Sequence, residues 1–266
     1  MLIKEKKCSD CDTYYDPTLE KCPSCHKDNE LYINRTINKH IAFMHPLAQI
    51  GLFLAGFSFA GMLVAELIFG KFFGFIEDKV LFQTLTISFA YLFMFTGLMS
   101  IIFLTRKKHF CSKFVKPLDY IYGIGYALTL FFVAIIVSSI VALFYKAEDN
   151  TNQGVAIAIA KNYPIFAFIV MGLLGPICEE LTYRVGLYSF FRRINKYLAL
   201  AISAIIFALI HFDFTAENMV NELWALPQYI VAGVVLGLAY EHHGPACSLT
   251  AHLLYNIAAF FMMLFR

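Results

Sequence analysis

The sequence is poor in charge. Asp, Glu, Lys and Arg supply only 15% of its 266 residues, whereas 59% are hydrophobic and 28 are phenylalanine. A soluble domain carries about 25% charged residues, so this composition excludes an ordinary soluble protein. The rules of the bilayer apply instead, and they predict an all-α polytopic membrane protein.

Other patterns are also absent. The chain has no clustered Lys/Arg or Gly pattern typical of nucleic-acid binding, and no internal repeat of the kind found in many transporters. The first 40 residues are polar, so we expect no cleavable signal peptide there. Nucleic-acid binding is therefore excluded from the expected functions, and ion-coupled transport is disfavoured.

Seven apolar stretches follow the polar N-terminus, and all but one are long enough to span a bilayer. They cover about residues 46–69, 80–104, 118–145, 163–190, 197–212, 224–241 and 245–265, of which 197–212 is short. Residues 151–162 fit a short interfacial helix, although an eighth span there stays open. The chain thus divides into a small module (1–34), a juxtamembrane linker (35–45), N-terminal transmembrane helices (46–145) and a transmembrane core (151–266).

Four of the seven cysteines precede the first apolar stretch, as two C-x2-C pairs: Cys8, Cys11, Cys22 and Cys25. Paired knuckles place four thiolates around one tetrahedral zinc. A module this small needs metal or disulfides to fold, so two disulfides or a redox pair are the alternatives to a zinc ribbon. Four thiolates close the coordination sphere, so the predicted zinc is structural and the ribbon would dock a protein partner.

Loop charges predict the orientation of the chain. With the N-terminus in the cytosol, ten cations near membrane ends lie inside and five lie outside, in agreement with the positive-inside rule. A reduced thiolate site also favours a cytosolic N-terminus. The inner set is Arg35, Lys39, Arg106, Lys107, Lys108, Lys113, Lys116, Arg192, Arg193 and Lys196; the outer set is Lys71, Lys79, Lys146, Lys161 and Arg266.

Charged and polar residues inside the spans are the main functional signal, because a charge in hydrocarbon costs at least about 2.5–3.5 kcal/mol. Glu179, Glu180 and Arg184 lie in one span. Glu180 and Arg184 are four residues apart, a spacing that suits an ion pair, and we interpret this pair as structural. Glu179 is left without an obvious partner. Burial makes such a carboxylate suitable as a general base.

Two histidines and an asparagine complete the set. At 1.5 Å per residue, Glu179 and His211 both lie about 20 Å from the cytosolic ends of their helices, whereas His252 lies only about 12 Å in. The mismatch is tolerable if residues 241–245 dip into the protein. Asn256 can donate its amide to a developing oxyanion. Phe207 is interpreted as packing, and His242 and His243 as part of a solvated loop.

The three motifs EExxxR (179–184), FxxxH (207–211) and HxxxN (252–256), in this order, resemble the CPBP (Abi) family of intramembrane proteases. That family includes type II CAAX prenyl endopeptidases and bacteriocin-processing or immunity proteins. The resemblance covers about residues 160–260, and the N-terminal ribbon is an addition outside it.

The resemblance implies a peptide hydrolase in which Glu179 and His211 activate water, while His252 and Asn256 stabilise the oxyanion. Glu180 and Arg184 would shape the site. Glu179, His211 and His252 are also a plausible zinc set, but the chain lacks HExxH, and we favour water activation without a metal. The substrate-binding cavity is expected to open toward the cytosol.

The sequence therefore predicts a multi-pass cell-membrane protein that hydrolyses a peptide bond of a membrane-associated or peptide substrate. The main alternative is a non-catalytic membrane scaffold, such as an immunity or secretion-assisting protein, whose ribbon recruits partners. A proton-coupled transporter is the third hypothesis, because transporters also use intramembrane Glu and His. Substrate and oligomeric state are not predicted.

Overall fold

The computed structural model describes residues 5–16, 19, 21–27, 29, 44–60, 66–146 and 148–266. Several positions used above lie outside the described residues or have side chains outside them: Arg35, Lys39, Arg106, Lys107 and Lys108. Most of the predicted juxtamembrane linker does as well. The chain divides into two compact units, Met1–His40 and Ile41–Arg266.

The first unit is built on two similar turns, one for each cysteine pair. Short strands β1 (Lys6–Lys7) and β2 (Tyr14–Tyr15) pair antiparallel around the first turn. In each turn the residue after the second cysteine donates its backbone amide to the carbonyl of the first cysteine: Asp12 donates to Cys8 O and His26 to Cys22 O. Asp12 and His26 both have φ near 60°, at 58° and 57°. His26 thus serves as a turn residue directly after its knuckle.

The second unit is all helical, which confirms the predicted fold class. Its helices are α1 (Pro46–Ala60), α2 (Lys79–Cys111), α3 (Pro117–Phe144), α4 (Thr151–Asn162), α5 (Pro164–Phe191), α6 (Lys196–Leu209), α7 (Met219–His243) and α8 (Pro245–Phe265). A π-helical turn (Glu66–Gly70) and a 3-10 turn (Ser112–Phe114) lie between them. Among the described residues, α2, α3, α5, α7 and α8 are long and apolar enough to cross a membrane, and α1 and α6 are shorter apolar helices.

The sequence itself sets where these helices begin. Proline occupies the first position of four of them, where its missing N–H costs nothing: Pro46, Pro117, Pro164 and Pro245. Asparagine side chains accept backbone N–H groups at the start of three others: Asn150, Asn195 and Asn218. Helix α4 has only 12 residues, so 151–162 is a short helix and not an eighth span.

Helix α5 is the central element. In its most apolar stretch 56% of the residues are buried, against 11–33% for the other four spanning helices. It changes form along its length, with π-helical segments at Phe168–Leu174 and Glu180–Tyr188 on either side of the short α-helical Gly175–Glu179. Pro176 lies in that short segment and lacks a backbone N–H, which disturbs the regular hydrogen-bond ladder. All nine residues of Glu180–Tyr188 are buried.

Close packing against α1 explains one glycine of α5. A Cβ at Gly186 would lie 2.9 Å from the Phe53 backbone nitrogen and 3.0 Å from Gln49 O. Only a glycine lets the two helix backbones approach this closely. At the end of α5, Arg193 donates to Gln49 Oε1 at 3.0 Å and to Met44 O. Helix α1 is therefore fixed along the helix that carries the glutamates.

Candidate active site

Two buried carboxylates project from the middle of α5. Glu179 ends the short α-helical segment and Glu180 begins the following π-helical segment, and their exposed fractions are 6% and 3%. π-Helical bulges are rare and often occur at functional sites, because they change the direction of side chains along one helix. Here the change of helix type falls between the two glutamates.

His252 of α8 bridges the two carboxylates. Its Nδ1 lies 3.0 Å from Glu180 Oε1 and its Nε2 lies 3.6 Å from Glu179 Oε2. The first distance is a hydrogen bond, and the second is longer than one. His252 is itself 3% exposed. One imidazole thus links both acids from a helix that is 72 residues further along the chain.

This contact removes the apparent mismatch in depth. The estimate for Glu179 used the rise of an α-helix, which does not describe the intervening π-helical segment Glu180–Tyr188. The turn at residues 241–245 also lies against the protein. Glu241 is held by Arg192 at 2.8 Å and by the Tyr188 hydroxyl at 2.7 Å, and Gly244 supplies the positive φ of 80° that separates α7 from α8.

Arg184 is completely buried, at 0% exposure. Its Nε lies 3.4 Å from Glu180 Oε1, as predicted for a pair at i,i+4, and its Nη2 donates to Gly233 O at 3.4 Å. The guanidinium also lies over the Phe207 ring, 4.7 Å from its centre. Glu180 therefore contacts both Arg184 and His252, and the interpretation of a simple ion pair was incomplete.

Phe207 lies at the centre of the three motifs. Its ring is 5.0 Å from that of His211 and 5.9 Å from that of His252, in addition to the contact with Arg184. The aromatic face attracts the cation of Arg184. Phe207 packs, as predicted, but it packs specifically between the charged and imidazole groups, which the phenylalanine-rich composition concealed.

His211 follows the last turn of α6. This helix ends at Leu209, which explains why the predicted apolar stretch 197–212 is short. The His211 Nδ1 lies 2.8 Å from Phe207 O. Because a carbonyl only accepts, Nδ1 carries a proton, and in the neutral ring Nε2 is a bare acceptor. The ring also stacks on Tyr229 of α7, with centres 4.3 Å apart and planes 19° apart. Tyr229 was not identified from the sequence.

A polar cluster at the same end of α6 fixes this region; we call it the Glu222 clamp, formed by Glu222, Thr151, Asp213 and Asn221. The Glu222 carboxylate is 2% exposed and accepts the amide of Thr151 at 2.7 Å and that of Asp213 at 3.2 Å. Asn221 accepts the amide of residue 148 at 2.9 Å. The clamp ties the starts of α4 and α7 to the segment that follows His211.

Asn256 lies one helical turn after His252 on α8. Its Nδ2 donates to Met171 O at 3.0 Å, in the first π-helical segment of α5. An amide carries two N–H groups, so this bond uses half of its donor capacity. The backbone carbonyl of Met171, in a π-helical segment of α5, thus accepts a hydrogen bond from a side chain.

Tyr91 of α2 also reaches the site, although no sequence motif pointed to it. Its hydroxyl donates to Glu179 Oε1 at 3.3 Å. The expectation that Glu179 has no partner is therefore wrong. The predicted loop at His242 and His243 is instead the last turn of α7, although His242 is exposed as predicted. His242 Nδ1 is 2.7 Å from the Tyr126 hydroxyl, and His243 stacks on Tyr122 with ring centres 3.9 Å apart.

The capacity to hold a metal differs between the two units. Cys8, Cys11, Cys22 and Cys25 place four sulfurs within 4.8 Å of one another. The hydrogen bond with Thr13 lowers the pKa of Cys11 to about 6, which favours the thiolate form that binds metal. Among the described residues this is the one such group of three or more ligands. The set Glu179, His211 and His252 is not such a group, although His252 Nε2 lies 3.6 Å from Glu179 Oε2.

A cavity of about 170 Å³ lies beside Glu180. Its lining is mostly apolar and comes from α2, the 3-10 turn, α5, α7 and α8, with Glu180, Tyr240 and Ser248 as the members that carry a polar group; the apolar members include Phe95, Met99, Phe110, Phe114 and Leu249. Phe110 near the end of α2 and Phe114 in the 3-10 turn both belong to residues 106–116, a stretch rich in Lys and Arg. The cavity thus lies toward the end of the bundle that carries most of the cations.

Comparison with known proteins gives a family match over residues 161–258, to a model described as type II CAAX prenyl endopeptidase Rce1-like. These residues include Glu179, His211, His252 and Asn256. The UPF0177 protein YvdC of Lactococcus lactis is 28% identical over 146 residues, covering 54% of this chain and 52% of that protein.

The membrane-embedded CAAX protease MroQ of Staphylococcus aureus is 27% identical over 124 residues, covering 44% of this chain and 46% of that protein. The matched part thus spans about half the length of these curated relatives. No solved structure matches.

Proposed function

We propose that the protein is an intramembrane endopeptidase, because residues 161–258 match the Rce1-like family model. It would hydrolyse a peptide bond of a membrane-associated or peptide substrate. The observation that carries the proposal is the contact of His252 with both Glu179 and Glu180, in a buried site that Phe207 connects to His211.

In the proposed reaction, Glu179 takes a proton from the water as the water oxygen bonds to the scissile carbonyl carbon. It gives that proton to the amine nitrogen when the oxyanion collapses and the C–N bond breaks. A buried carboxylate that faces few donors is a suitable base. His211 orients the same water through its bare Nε2, since its Nδ1 is occupied by Phe207 O. No step requires a metal, because the chain's own acceptors provide both contacts to the water.

The oxyanion that forms on the scissile carbonyl would be stabilised by donors from α8. His252 keeps its Nδ1 proton on Glu180, and a protonated Nε2 would donate to the oxyanion. The second N–H of Asn256 would be the other donor, while the first remains on Met171 O. Glu180 and Arg184 hold His252 and Phe207 in place, which is the site-shaping role that the family pattern implies.

The substrate would enter from the cationic end of the bundle. The apolar cavity next to Glu180 is lined in part by Phe110 and Phe114 from that end, and under the positive-inside rule this end would face the cytosol. The N-terminal unit would hold one structural zinc through its four cysteines and would dock a protein partner on the same side of the membrane.

The test compares the wild-type protein with Glu179→Gln, which keeps the size of the side chain and removes the base. Membranes that contain each form are examined for new protein termini by mass spectrometry. The purified proteins are also incubated with an internally quenched peptide library. We expect cleavage by the wild type and a loss of at least about 100-fold in the variant, as for removal of a general base.

Glu217→Gln is the matched control, because Glu217 is an exposed acid in the loop after His211. It should insert and cleave as the wild type does. If Glu179→Gln retains full biological function with normal membrane insertion, the protein acts as a non-catalytic scaffold, and the protease proposal is wrong.

A further inference from the structure

We propose that Tyr91 is a positioning residue of the active site, whose hydroxyl fixes the orientation of the Glu179 carboxylate. The proposal rests on the proposed function for its consequence in catalysis. Tyr91 lies on α2, outside residues 161–258 that match the family model. The active site would therefore need a helix from the N-terminal half of the membrane unit.

The two oxygens of Glu179 have different neighbours. Tyr91 donates to Oε1 at 3.3 Å, whereas Oε2 lies 3.6 Å from His252 Nε2. The last torsion of a glutamate side chain is broad and two-fold, so packing alone holds the carboxylate plane weakly. A donor on Oε1 restricts that rotation. Oε2 is then directed toward His252, where the water and the substrate carbonyl would be bound.

The chemistry of α2 supports a role for the hydroxyl itself. Tyr91 is the single tyrosine of this helix, whose six other aromatic rings are all phenylalanine: Phe82, Phe89, Phe93, Phe95, Phe103 and Phe110. A hydroxyl in an apolar environment is costly unless it is hydrogen-bonded. A phenylalanine at position 91 would avoid this cost. At Tyr91 the hydrogen bond to Glu179 offsets it.

Local contacts hold Tyr91 at this position. The Cys178 thiol donates to Tyr91 O at 3.8 Å, which ties the backbone of α2 to the residue just before Glu179. Gly175 lies beside both side chains, because a Cβ there would be in ordinary van der Waals contact with them, 3.7 Å from Tyr91 Cε1 and 3.8 Å from Glu179 Oε1. The pair thus lies in a close crossing of α2 and α5.

The test uses Tyr91→Phe, which removes only the hydroxyl. The matched control is Tyr183→Phe: Tyr183 is fully buried near the same glutamate, and its hydroxyl has no hydrogen-bond partner among the described residues. Infrared spectra of the purified full-length proteins report on the carboxyl group. The band of Glu179 is identified from the difference between the wild type and Glu179→Gln.

We expect Tyr91→Phe to shift the Glu179 band and Tyr183→Phe to leave it in place. On the internally quenched peptide library, Tyr91→Phe should lower kcat by about tenfold with KM unchanged, as for the loss of one hydrogen bond to a charged group. Site-specific 3-fluorotyrosine at position 91 keeps the hydroxyl and should restore most of the turnover. It also serves as the second variant if Tyr91→Phe folds poorly.

An unchanged Glu179 band in folded Tyr91→Phe would overturn the proposal, as would wild-type kcat in Tyr91→Phe when Glu179→Gln is inactive. Failure of the protease proposal gives a different result, since Glu179→Gln would then behave as the wild type on every peptide. The infrared measurement needs no substrate, so it separates the two cases.

Discussion

Glu222→Gln is the substitution that should reveal how the end of α6 is held. The Glu222 carboxylate accepts two backbone amides, from Thr151 at 2.7 Å and from Asp213 at 3.2 Å, and it is 2% exposed. Glutamine has one acceptor oxygen, and its NH2 group cannot bond to a backbone N–H. One of the two charge-assisted hydrogen bonds is therefore lost.

The expected loss of stability follows from the loss of this one hydrogen bond. A hydrogen bond to a charged group contributes about 1.5–3 kcal/mol. A loss of that size lowers Tm by about 3–12 °C, at about 2–4 °C per kcal/mol for chains of this order of length. The exposed Glu217 is again the matched control, because exposed substitutions change stability by no more than about 0.5 kcal/mol.

The assay is thermal unfolding of the purified protein, followed with a thiol-reactive dye that reports the exposure of the buried Cys178 and Cys247. Hydrogen exchange adds a local readout, and we expect faster exchange in residues 148–153 and 211–218 of Glu222→Gln. If Glu222→Gln melts together with Glu217→Gln and exchanges like the wild type, the clamp does not hold this region and the reasoning is wrong.

Two further substitutions test other parts of the chain. Gly186→Ala should destabilise the membrane unit by about 1–3 kcal/mol, because the new Cβ would lie 3.0 Å from Gln49 O. The control Gly51→Ala, where nothing lies within 4 Å, should leave Tm nearly unchanged. Equal changes of Tm in the two variants would contradict the close contact of α1 with α5. Cys22→Ser should lower the zinc content, measured by mass spectrometry, from about one equivalent per chain to none. The control Cys111→Ser should keep its zinc. Zinc retained in Cys22→Ser would refute the four-thiolate site.

Much of the architecture was predictable because membrane insertion leaves a strong local signal. Apolar stretches of about 20 residues must be helical in a bilayer, since their backbone groups have no other partners. Helix starts were also local, as with Pro117 and Pro164. The start of α7 was predicted too late: the helix begins at Met219, five residues before the predicted 224. Its first turn is polar because Asn221 and Glu222 form part of the Glu222 clamp.

The residues of the candidate active site were predicted as a group, but most of their contacts were not. Spacing on one helix predicted the contact of Glu180 with Arg184, which is confirmed at 3.4 Å. It did not predict that His252 would contact both glutamates, because an estimate of depth assumed α-helical rise throughout α5. A change to a π-helix is decided by the packing around the helix and by Pro176, and no single residue type encodes it.

Tyr91 and Tyr229 show the limit most clearly. A tyrosine in a span rich in aromatic residues has the same composition and period as its neighbours, so no sequence pattern separates it from them. Only the crossing of α2 with α5 brings the Tyr91 hydroxyl to Glu179, and only the end of α6 brings His211 onto the Tyr229 ring.

The scarcity of charge and the long apolar stretches determined from the sequence that this chain is a membrane protein, since the free energy of transferring a stretch into hydrocarbon depends on the residues it contains. It also made the few charged residues inside the spans visible, because each is costly there. The tertiary structure decided which partners offset that cost. Partners such as Glu179 and His252 lie far apart in the chain, and their contact depends on helix crossings and on the form of α5, which are set by the packing of the whole bundle.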